Sequence, residues 1–420
     1  MKQLLVRLAY NLLLLPGLIF ACYRLYWPKA GKQPFGRRWR EHFGISRAVK
    51  SPEIWLHAVS VGEVIGCVAL VKALKARHPD WQILLTTTTA TGAQEVHKRL
   101  GDQVVHRYAP FDCWPCIWLF LQRHHPQQLW IMETELWLNW LSLCRKRQIP
   151  VKLINARLSA RSTQRYQQFA TFAQLLFTRL SWIGAQYPTD AQNFIAVGAA
   201  PEIVEVTGSI KYDLHLDPAR IQAARSQRYQ LFGQRPVVIA ASTHAGEDQI
   251  MLDIAAKLRV SQPALLLILV PRHPERFTEV GELLGAQVRW VSRSDKTSIP
   301  ANTQVYLGDT MGELMDLFAM SDVAIMGGSF AGIGGHNYLE PAALGVPCVS
   351  GPSDFNFGQI SAQLQQTGAL YLSEQHEQLV SQMAKWLSDP QAYQQASAGA
   401  LSAVQANQGA TARSLNALLT

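Results

Sequence analysis

The amino-acid sequence predicts an α/β fold: two Rossmann-like, doubly wound parallel-sheet domains facing a cleft, preceded by an N-terminal membrane-associating helix. Short apolar runs alternate with longer helical patterns, which is typical of βαβ units. These runs fall into two sets of similar length. A chain of 420 residues is long enough for two or three domains of roughly 150 residues each.

The apolar N-terminal segment, residues 1–28, is predicted to associate with a membrane. The stretch from Leu8 to Tyr23 carries no charge, and its 16 residues would span about 24 Å as a helix, less than a hydrocarbon core about 30 Å thick. Arg7 and Arg24 can extend their charged ends toward the interface, so a short anchor and an interfacial helix both remain open. The alternatives are a buried core helix broken at Pro16 and a cleaved signal peptide, although no A-x-A-like cleavage site follows.

The positive charge of the chain is concentrated near its N-terminus. The sequence has 39 basic and 30 acidic residues, a net charge of +9. Ten of the basic residues and one acidic residue lie within residues 1–50, so the remainder is neutral. Since a neutral body lacks the basic stripe that a nucleic-acid backbone requires, we expect no nucleic-acid partner. We expect residues 29–50 to contact anionic inner-membrane lipids and to keep the body cytoplasmic.

The two sets of apolar runs define the predicted domains. The first domain, residues 29–212, has its runs at 54–59, 82–88, 128–133, 151–156, 181–186 and 205–210. The second domain, residues 237–420, has its runs at 237–242, 264–270, 288–292, 303–308, 322–328 and 347–351, followed by a tail predicted to be helical. Residues 213–236 are predicted to form a linker.

The six cysteines are too few for a disulfide framework and are predicted to be reduced thiols. Cys113 and Cys116 form a CxxC motif. No second pair completes a zinc site, and the motif lacks the βαβ context of a thioredoxin-type redox centre. We therefore interpret this motif as incidental.

Polar residues follow the ends of several predicted strands, where ligands bind in open α/β sheets. In the first domain, Glu63, Glu133 and Lys211 occupy such positions. Each also has a simpler explanation. Ser60-x-x-Glu63 fits a helix capping box, Glu133 fits a solvated loop, and Lys211 fits a surface lysine. Residue chemistry alone leaves these alternatives open, but a carboxylate in an apolar cleft would suit acid–base catalysis.

The second domain is predicted to bind a nucleotide phosphate. The glycine-rich residues 327–335 would supply closely approaching backbone and free N–H groups at a helix start, and Arg272 would add a cation. This segment matches neither a Walker motif nor a complete dinucleotide fingerprint. Glu313 and Glu340 each fit a helix cap as well. His244 and His336 have no partner in the sequence pattern and are predicted to be structural.

Motifs along most of the chain resemble those of the Kdo transferases, the 3-deoxy-D-manno-octulosonic acid transferases of lipopolysaccharide biosynthesis. The motifs are HAVSVGE (57–63), METELW (132–137), NARLSARS (155–162), GSIKYD (208–213), STHAGE (242–247), VPRHPERF (270–277), GDTMGEL (308–314), GGHN (334–337) and GPSDFNF (351–357). The resemblance implies a GT-B fold, CMP-Kdo as donor and a lipid A precursor (lipid IVA) as acceptor. It also implies the cytoplasmic side of the inner membrane of a Gram-negative bacterium. The resemblance implies a single displacement with inversion, which needs no metal. The absence of a D-x-D carboxylate pair is consistent with this, and we expect neither a metal nor a cofactor.

The resemblance further implies roles for individual residues. Glu63 matches the general base, and Glu133 and Lys211 match positions that stabilise the transition state. The residues that match contacts to the CMP part of the donor are Pro271, Arg272, Met311, Gly312, Glu313, Asn337, Leu339 and Glu340. Leu138 and Tyr338 replace two family prolines, which leaves these loops less constrained.

Two rival functions remain at this stage. The chain could be another GT-B glycosyltransferase that uses a different nucleotide sugar, or a membrane-tethered nucleotide-binding module that has lost catalysis. The presence of Glu63, Glu133 and Lys211 argues against the second rival.

Overall fold

The computed structural model describes residues 1–27, 35–285 and 287–419. The chain forms two compact units: Met1–Asp213 together with Gln408–Thr420, and Leu214–Asn407. Each unit contains one seven-stranded sheet with parallel pairing. The predicted α/β class with two Rossmann-like, parallel-sheet domains is therefore confirmed.

The first unit alternates strands and helices along the chain. Its strands are β1 (Ile54–His57), β2 (Ile83–Thr87), β3 (Val105–Tyr108), β4 (Gln128–Met132), β5 (Val151–Ala156), β6 (Trp182–Ala185) and β7 (Val204–Val206). Its helices are α1 (Lys2–Tyr26), α2 (Val61–Arg77), α3 (Ala90–Leu100), α4 (Trp114–His124), α5 (Leu138–Lys146), α6 (Ala160–Gln168), α7 (Ala170–Phe177), α8 (Pro188–Ala196) and the final helix, α17 (Ala410–Leu419).

The sheet of the first unit has the order β3-β2-β1-β4-β5-β6-β7. Successive residues of β1 join different cores, because side chains alternate across a strand: Trp55 packs into one apolar cluster, and Ile54 and Leu56 into another. Both faces of the sheet are thus covered, as parallel sheets require. The strand order reverses between β1 and β4, and this topological switch point is where open α/β sheets bind ligands.

Helix α1 contacts the rest of the first unit at Tyr10, in its first half, and at Tyr26, its last residue. The Tyr10 hydroxyl donates to Asp112 Oδ2 at 2.6 Å, and the Tyr26 hydroxyl lies 2.8 Å from His42 Nδ1. The opposite side of the helix is apolar and exposed, as at Leu13 (72% exposed) and Ile19 (73%). It is the one helix among the described residues that is long and apolar enough to cross a membrane.

The second unit repeats the strand–helix alternation. Its strands are β8 (Val237–Thr243), β9 (Leu266–Pro271), β10 (Trp290–Ser292), β11 (Val305–Leu307), β12 (Val323–Met326), β13 (Cys348–Ser350) and β14 (Leu370–Leu372). Its helices are α9 (Pro218–Phe232), α10 (Glu247–Ser261), α11 (Phe277–Gly285), α12 (Leu314–Ala319), α13 (Leu339–Ala342), α14 (Gly358–Gln366), α15 (His376–Ser388) and α16 (Pro390–Gln405). The strand order is β10-β11-β9-β8-β12-β13-β14, so the switch point lies between β8 and β12.

Two strands were not predicted from the sequence. β3 and β14 each form an edge of their sheet and have few buried residues. An edge strand has a partner on one side only and need not be apolar throughout, so its sequence signal is weak.

The domain limits differ from those predicted. The proposed linker, residues 213–236, contains the 15-residue helix α9. Helix α17 belongs to the first unit, whereas the tail was expected in the second. Its Leu415 and Leu418 join the core cluster beneath α2, and the Asp213 carboxylate accepts the Gly409 and Thr411 N–H groups, each at 2.6 Å. An apolar helix face does not encode which domain will bury it. The predicted boundary between residues 28 and 29 lies outside the described residues.

The prediction of reduced cysteines is wrong for one pair. Cys113 and Cys116 form a disulfide at the start of α4, with Cα atoms 5.4 Å apart. Cys113 is the N-cap residue and Cys116 lies in the first helical turn, which brings the two side chains together.

Candidate active site

Glu63 lies in the first turn of α2, directly after the end of β1. The Ser60 hydroxyl caps this helix by accepting the Glu63 N–H at 3.3 Å. The Glu63 carboxylate in turn accepts the Ser60 hydroxyl at 2.9 Å and the Val59 N–H at 2.8 Å. The helix-capping interpretation of Glu63 is therefore confirmed as part of its role.

The surroundings of Glu63 also tune its acidity. Burial raises its pKa to about 7, opposed by the two hydrogen bonds and assisted by the negative charges of Glu133 and Glu135. A carboxyl group with a pKa near 7 exchanges protons readily at neutral pH. Hydrogen bonding to Ser60 and Val59 holds the side chain in place, and burial shifts its pKa toward neutrality.

Glu133 and Lys211 form an ion pair at the end of β4. Lys211 Nζ lies 3.1 Å from Glu133 Oε1, and both side chains are about one-third exposed. The Glu133 backbone is left-handed, with φ of 56°, and its N–H donates to Ile154 O at 2.9 Å. Such a backbone is uncommon for a residue other than glycine and is concentrated at functional sites.

The Lys211 segment follows β7, at the edge of the sheet, yet reaches back to β4. The Asn155 Oδ1 atom accepts the Ile210 N–H at 3.1 Å, and the Ile210 side chain is buried against α2 in the core. The Asp213 carboxylate anchors the other end of the segment to α17. The three predicted catalytic residues, Glu63, Glu133 and Lys211, are therefore brought to one region of the first unit.

Glu135 and Asn155 were not assigned to the site from the sequence. Burial raises the Glu135 pKa, with a further contribution from Glu133. Asn155 is buried with a φ of 53°, next to the left-handed Glu133 on the neighbouring strand. Glu135 lies in the METELW motif and Asn155 in the NARLSARS motif. Only the folded chain shows which residues of these motifs lie next to Glu63 and Glu133.

The glycine-rich segment of the second unit is organised by Glu247, a residue not assigned to the site from the sequence. Its buried carboxylate accepts the N–H groups of Gly328 at 2.8 Å, Phe330 at 3.0 Å and Ala331 at 3.1 Å, and that of His244 at 2.9 Å. The prediction of free N–H groups is therefore wrong for these residues. Helix α13, which follows, has only four residues and gives no strong helix dipole.

His244 and His336 are partners rather than isolated residues. Their Nε2 atoms lie 2.8 Å apart and their rings stack, so the prediction that they lack partners is wrong. Burial lowers the His336 pKa to about 4, assisted by the positive charge of Arg272 and by the neighbouring histidines. Arg272 itself is exposed at the end of β9, beside this pair.

The other predicted donor-binding residues have varied surroundings. Glu313 is paired with Arg293 through bonds of 2.8 and 3.1 Å, which lowers the Glu313 pKa. Glu313 is the N-cap residue of α12, but its side chain makes no capping hydrogen bond; its carboxylate accepts the Thr310 hydroxyl instead. The Asn337 side chain accepts the Leu339 N–H and donates to Glu340, each at 3.2 Å.

The remaining predicted positions differ in exposure. Met311 and Gly312 are exposed, whereas Pro271 and Leu339 are buried. Tyr338, which replaces a family proline, is also buried, and its hydroxyl lies 2.9 Å from Ser350 Oγ. Gly335 has a φ of 73° and leaves room for the Tyr338 hydroxyl, where a Cβ atom would clash. Among the described residues, no group of three or more His, Cys, Asp or Glu side chains is arranged to hold a metal ion.

Comparison with known proteins decides the family. A family model described as 3-deoxy-D-manno-octulosonic-acid transferase (kdotransferase) matches residues 37–214, and one described as glycosyl transferases group 1 matches residues 256–402. A 3-deoxy-D-manno-octulosonic acid transferase of Haemophilus influenzae is 37% identical over 389 residues, covering 91% of either chain. The chain belongs to the Kdo transferase family.

Further similarities agree with this Kdo transferase assignment. A 3-deoxy-D-manno-octulosonic acid transferase of Bordetella pertussis is 34% identical, covering 87% of this chain and 86% of its own. A UDP-GlcNAc 2-epimerase structure from Neisseria meningitidis superposes with a TM-score of 0.61 at 15% identity, covering 87% of this chain and 99% of its own, and shows the shared fold alone. Glycosyl transfer of Kdo in lipopolysaccharide synthesis is thus the activity of the family.

Proposed function

We propose that the chain transfers Kdo from CMP-Kdo to a lipid A precursor, lipid IVA, with inversion at the anomeric carbon and without a metal ion. The observation that carries this proposal is the Glu63 carboxyl group, whose pKa is raised to about 7 beside the Glu133–Lys211 pair. The family relationship supports Kdo as the transferred sugar.

The proposed reaction is a single displacement. An acceptor hydroxyl forms a bond to the anomeric carbon of Kdo while the bond from that carbon to the CMP phosphate oxygen breaks. Glu63 takes the hydroxyl proton, and CMP leaves with the bonding electron pair. A positioned base of this kind contributes about 10² to 10⁴ in rate.

Glu133 and Lys211 are proposed to stabilise the transition state. Positive charge develops on the sugar ring and negative charge on the departing phosphate, so a carboxylate and an ammonium group fixed together can serve both. Their 3.1 Å contact keeps the pair oriented before the substrate arrives.

The donor is proposed to bind the second unit near the switch point between β8 and β12. Arg272 is the exposed cation there, beside the His244–His336 pair, and supplies charge for the phosphate. Met311 and Gly312 offer exposed backbone on the adjoining loop. Pro271, Asn337, Leu339 and Glu340 are proposed to shape the pocket. Glu313 is paired with Arg293, and we propose that this pair positions the loop that carries Met311 and Gly312. Any contact of Glu313 with the donor would then use the carboxylate lone pairs that Arg293 does not occupy.

Membrane association is proposed to occur through α1 lying on the bilayer surface at the cytoplasmic side of the inner membrane. Contacts at Tyr10 and Tyr26 hold the helix against the first unit over 16 residues, about 24 Å of its length. A helix held in this way cannot also cross a hydrocarbon core about 30 Å thick. Its exposed apolar side is available to lipid.

The direct test is incubation of the purified protein with CMP-Kdo and tetraacylated lipid A precursor in the presence of a chelator. We expect the lipid to gain the mass of at least one Kdo residue. No mass gain with or without added divalent metal would refute the assignment of substrates. Activity that appears only with metal would refute the metal-independent mechanism alone.

A further inference from the structure

A cavity of about 740 Å³ lies on the first unit beside α1. Its walls come from α1, α5 and the end of α7, with Trp114 contributed by the first turn of α4. None of the residues assigned to Kdo transfer lines it. The cavity is therefore distinct from the proposed catalytic site.

The walls of this cavity are strongly cationic. Arg7, Arg145, Lys146 and Arg179 all line it, and none of the described lining residues is acidic. Arg145 and Lys146 belong to the last turn of α5, where the helix dipole partly offsets their charge. Four basic groups around one cavity without a carboxylate create a positive potential that attracts an anion.

Arg179 is the buried member of this set. It is only 9% exposed, and its Nε atom has no hydrogen-bond partner among the described residues. One guanidinium nitrogen donates to the Leu175 carbonyl oxygen. Burial lowers its pKa to about 10, with further contributions from the positive charges of Arg7 and Arg145, so it still carries a full charge at neutral pH. A buried cation with an unused donor lacks a counter-ion.

The buried Asp112 carboxylate, which contacts the cavity-lining residue Asn139, does not fill this need. Asp112 is buried, and its oxygens accept the Tyr10 hydroxyl at 2.6 Å, the Trp140 N–H at 2.9 Å and the Asn139 N–H at 3.3 Å. Burial raises the pKa of this carboxyl group to about 7, so it is only partly ionised at neutral pH. It does not line the cavity.

We propose that this cavity binds the phosphate group of an anionic membrane lipid. Phosphate oxygens match the donors of arginine and lysine, and arginine can bind them through two parallel hydrogen bonds. The location favours a lipid over a free anion. Arg7 lies on α1 between the exposed apolar residues Leu4 and Leu8, so the cavity borders a surface suited to acyl chains. This inference does not depend on the proposed substrates.

The test measures binding of short-chain phosphatidic acid to the full-length protein in a non-ionic detergent, by titration calorimetry at fixed ionic strength. The Arg145→Gln/Lys146→Gln variant should bind about thirtyfold more weakly, since each basic residue near a lipid phosphate contributes about a factor of five. Arg7→Gln, on a different helix, should also weaken binding. Both variants alter exposed positions, and a melting temperature equal to that of the parent protein would show that they fold.

The matched control is Lys98→Gln/Lys385→Gln, which removes the same charge at exposed positions away from the cavity and should leave binding unchanged. Equal weakening in the control would show that net charge alone attracts the lipid and would overturn the proposal. Binding that persists in both cavity variants would do the same.

Two further probes define the ligand. Short-chain phosphatidylcholine, which has no net charge, and inorganic phosphate should each bind at least about tenfold more weakly than phosphatidic acid. Inorganic phosphate that binds as tightly would show a free-anion site and refute the lipid assignment. Kdo transfer to detergent-dispersed acceptor should be unchanged in Arg145→Gln/Lys146→Gln. A raised KM for the acceptor alone would overturn the proposal and assign the cavity to the acceptor instead.

Discussion

The Lys211 ammonium group lies 3.1 Å from the Glu133 carboxylate, although the strands that precede the two residues are three positions apart in the sheet. The segment after β7 folds back across the sheet edge, fixed by Asn155 and Asp213. This return places a cation against the Glu133 carboxylate. Burial raises the pKa of Glu63 and of Glu135, and the negative charge of Glu133 adds to both shifts.

Replacing Glu63 by glutamine should abolish most turnover while donor binding persists. Glutamine can still accept the Val59 N–H, so the helix cap is largely retained and the base is lost. We expect kcat to fall by about 10² to 10⁴. Measurement of kcat alongside CMP binding checks this, with Glu95→Gln on α3 as the control. Near-normal turnover would leave Glu63 with a capping role only.

The pH dependence of kcat/KM should report the Glu63 carboxyl group. Its raised pKa of about 7 means that the base is protonated and inactive below this value. The rate should therefore rise with pH up to about 7 and then level off. Glu135→Gln removes a negative charge that raises this pKa, so the inflection should move to lower pH. An inflection that does not move would contradict the electrostatic coupling.

A double-mutant cycle should detect the Glu133–Lys211 pair. Lys211→Met and Glu133→Gln should each lower kcat by about 10² to 10³, the loss typical of a group that stabilises developing charge. Because the residues are in contact, the double variant should lose less than the product of the single effects. Multiplicative losses would mean that the two groups act separately.

Glu247→Gln should weaken donor binding, although the Glu247 side chain is not proposed to contact the donor. The carboxylate accepts four backbone N–H groups, and the glutamine amide would direct an NH₂ group at some of these donors. Leaving buried donors unsatisfied costs about 1–3 kcal/mol each, so we expect lower thermal stability and weaker CMP binding. Asp253→Asn, an exposed acid on the same helix, is the control and should change neither quantity.

Changing the exposed side of α1 should release the protein from vesicles. Leu12→Ser, Leu13→Ser and Ile19→Ser together remove apolar groups that each contribute about 1.5–3 kcal/mol when buried. Their positions leave the Tyr10 and Tyr26 contacts intact. Co-sedimentation with vesicles measures the loss of binding. The control substitutes serine at the exposed Tyr229, Val260 and Leu401 of the second unit, and this variant should co-sediment with vesicles as the parent protein does.

The orientation of α1 has its own measurement. A Lys2→Cys variant that also carries Cys22→Ser should react with an impermeant maleimide from the same side of the membrane as the body of the enzyme. Labelling from the opposite side would show that the helix spans the bilayer.

Much of the fold could be predicted from the sequence because it depends on local patterns. Apolar runs such as residues 128–133 and 264–270 form buried strands wherever helices cover both sheet faces. Two of the four edge strands, β3 and β14, escaped prediction, since one-sided pairing relaxes the requirement for apolar residues. The positions of Glu63 and Glu133 after adjacent strands β1 and β4 also follow from strand order in a doubly wound sheet.

The sequence by itself determined the family, the two α/β units, the chemical types in the site and the apolar N-terminal helix. Only the tertiary structure decided how distant segments meet. A pattern along the chain cannot show that Lys211 crosses about 14 Å of sheet to reach Glu133, that Glu247 occupies the glycine-loop N–H groups, or that α17 returns to the first unit. These contacts depend on packing between segments far apart in sequence. The pKa of Glu63 depends on them as well, because burial and neighbouring charges exist only once the chain has folded.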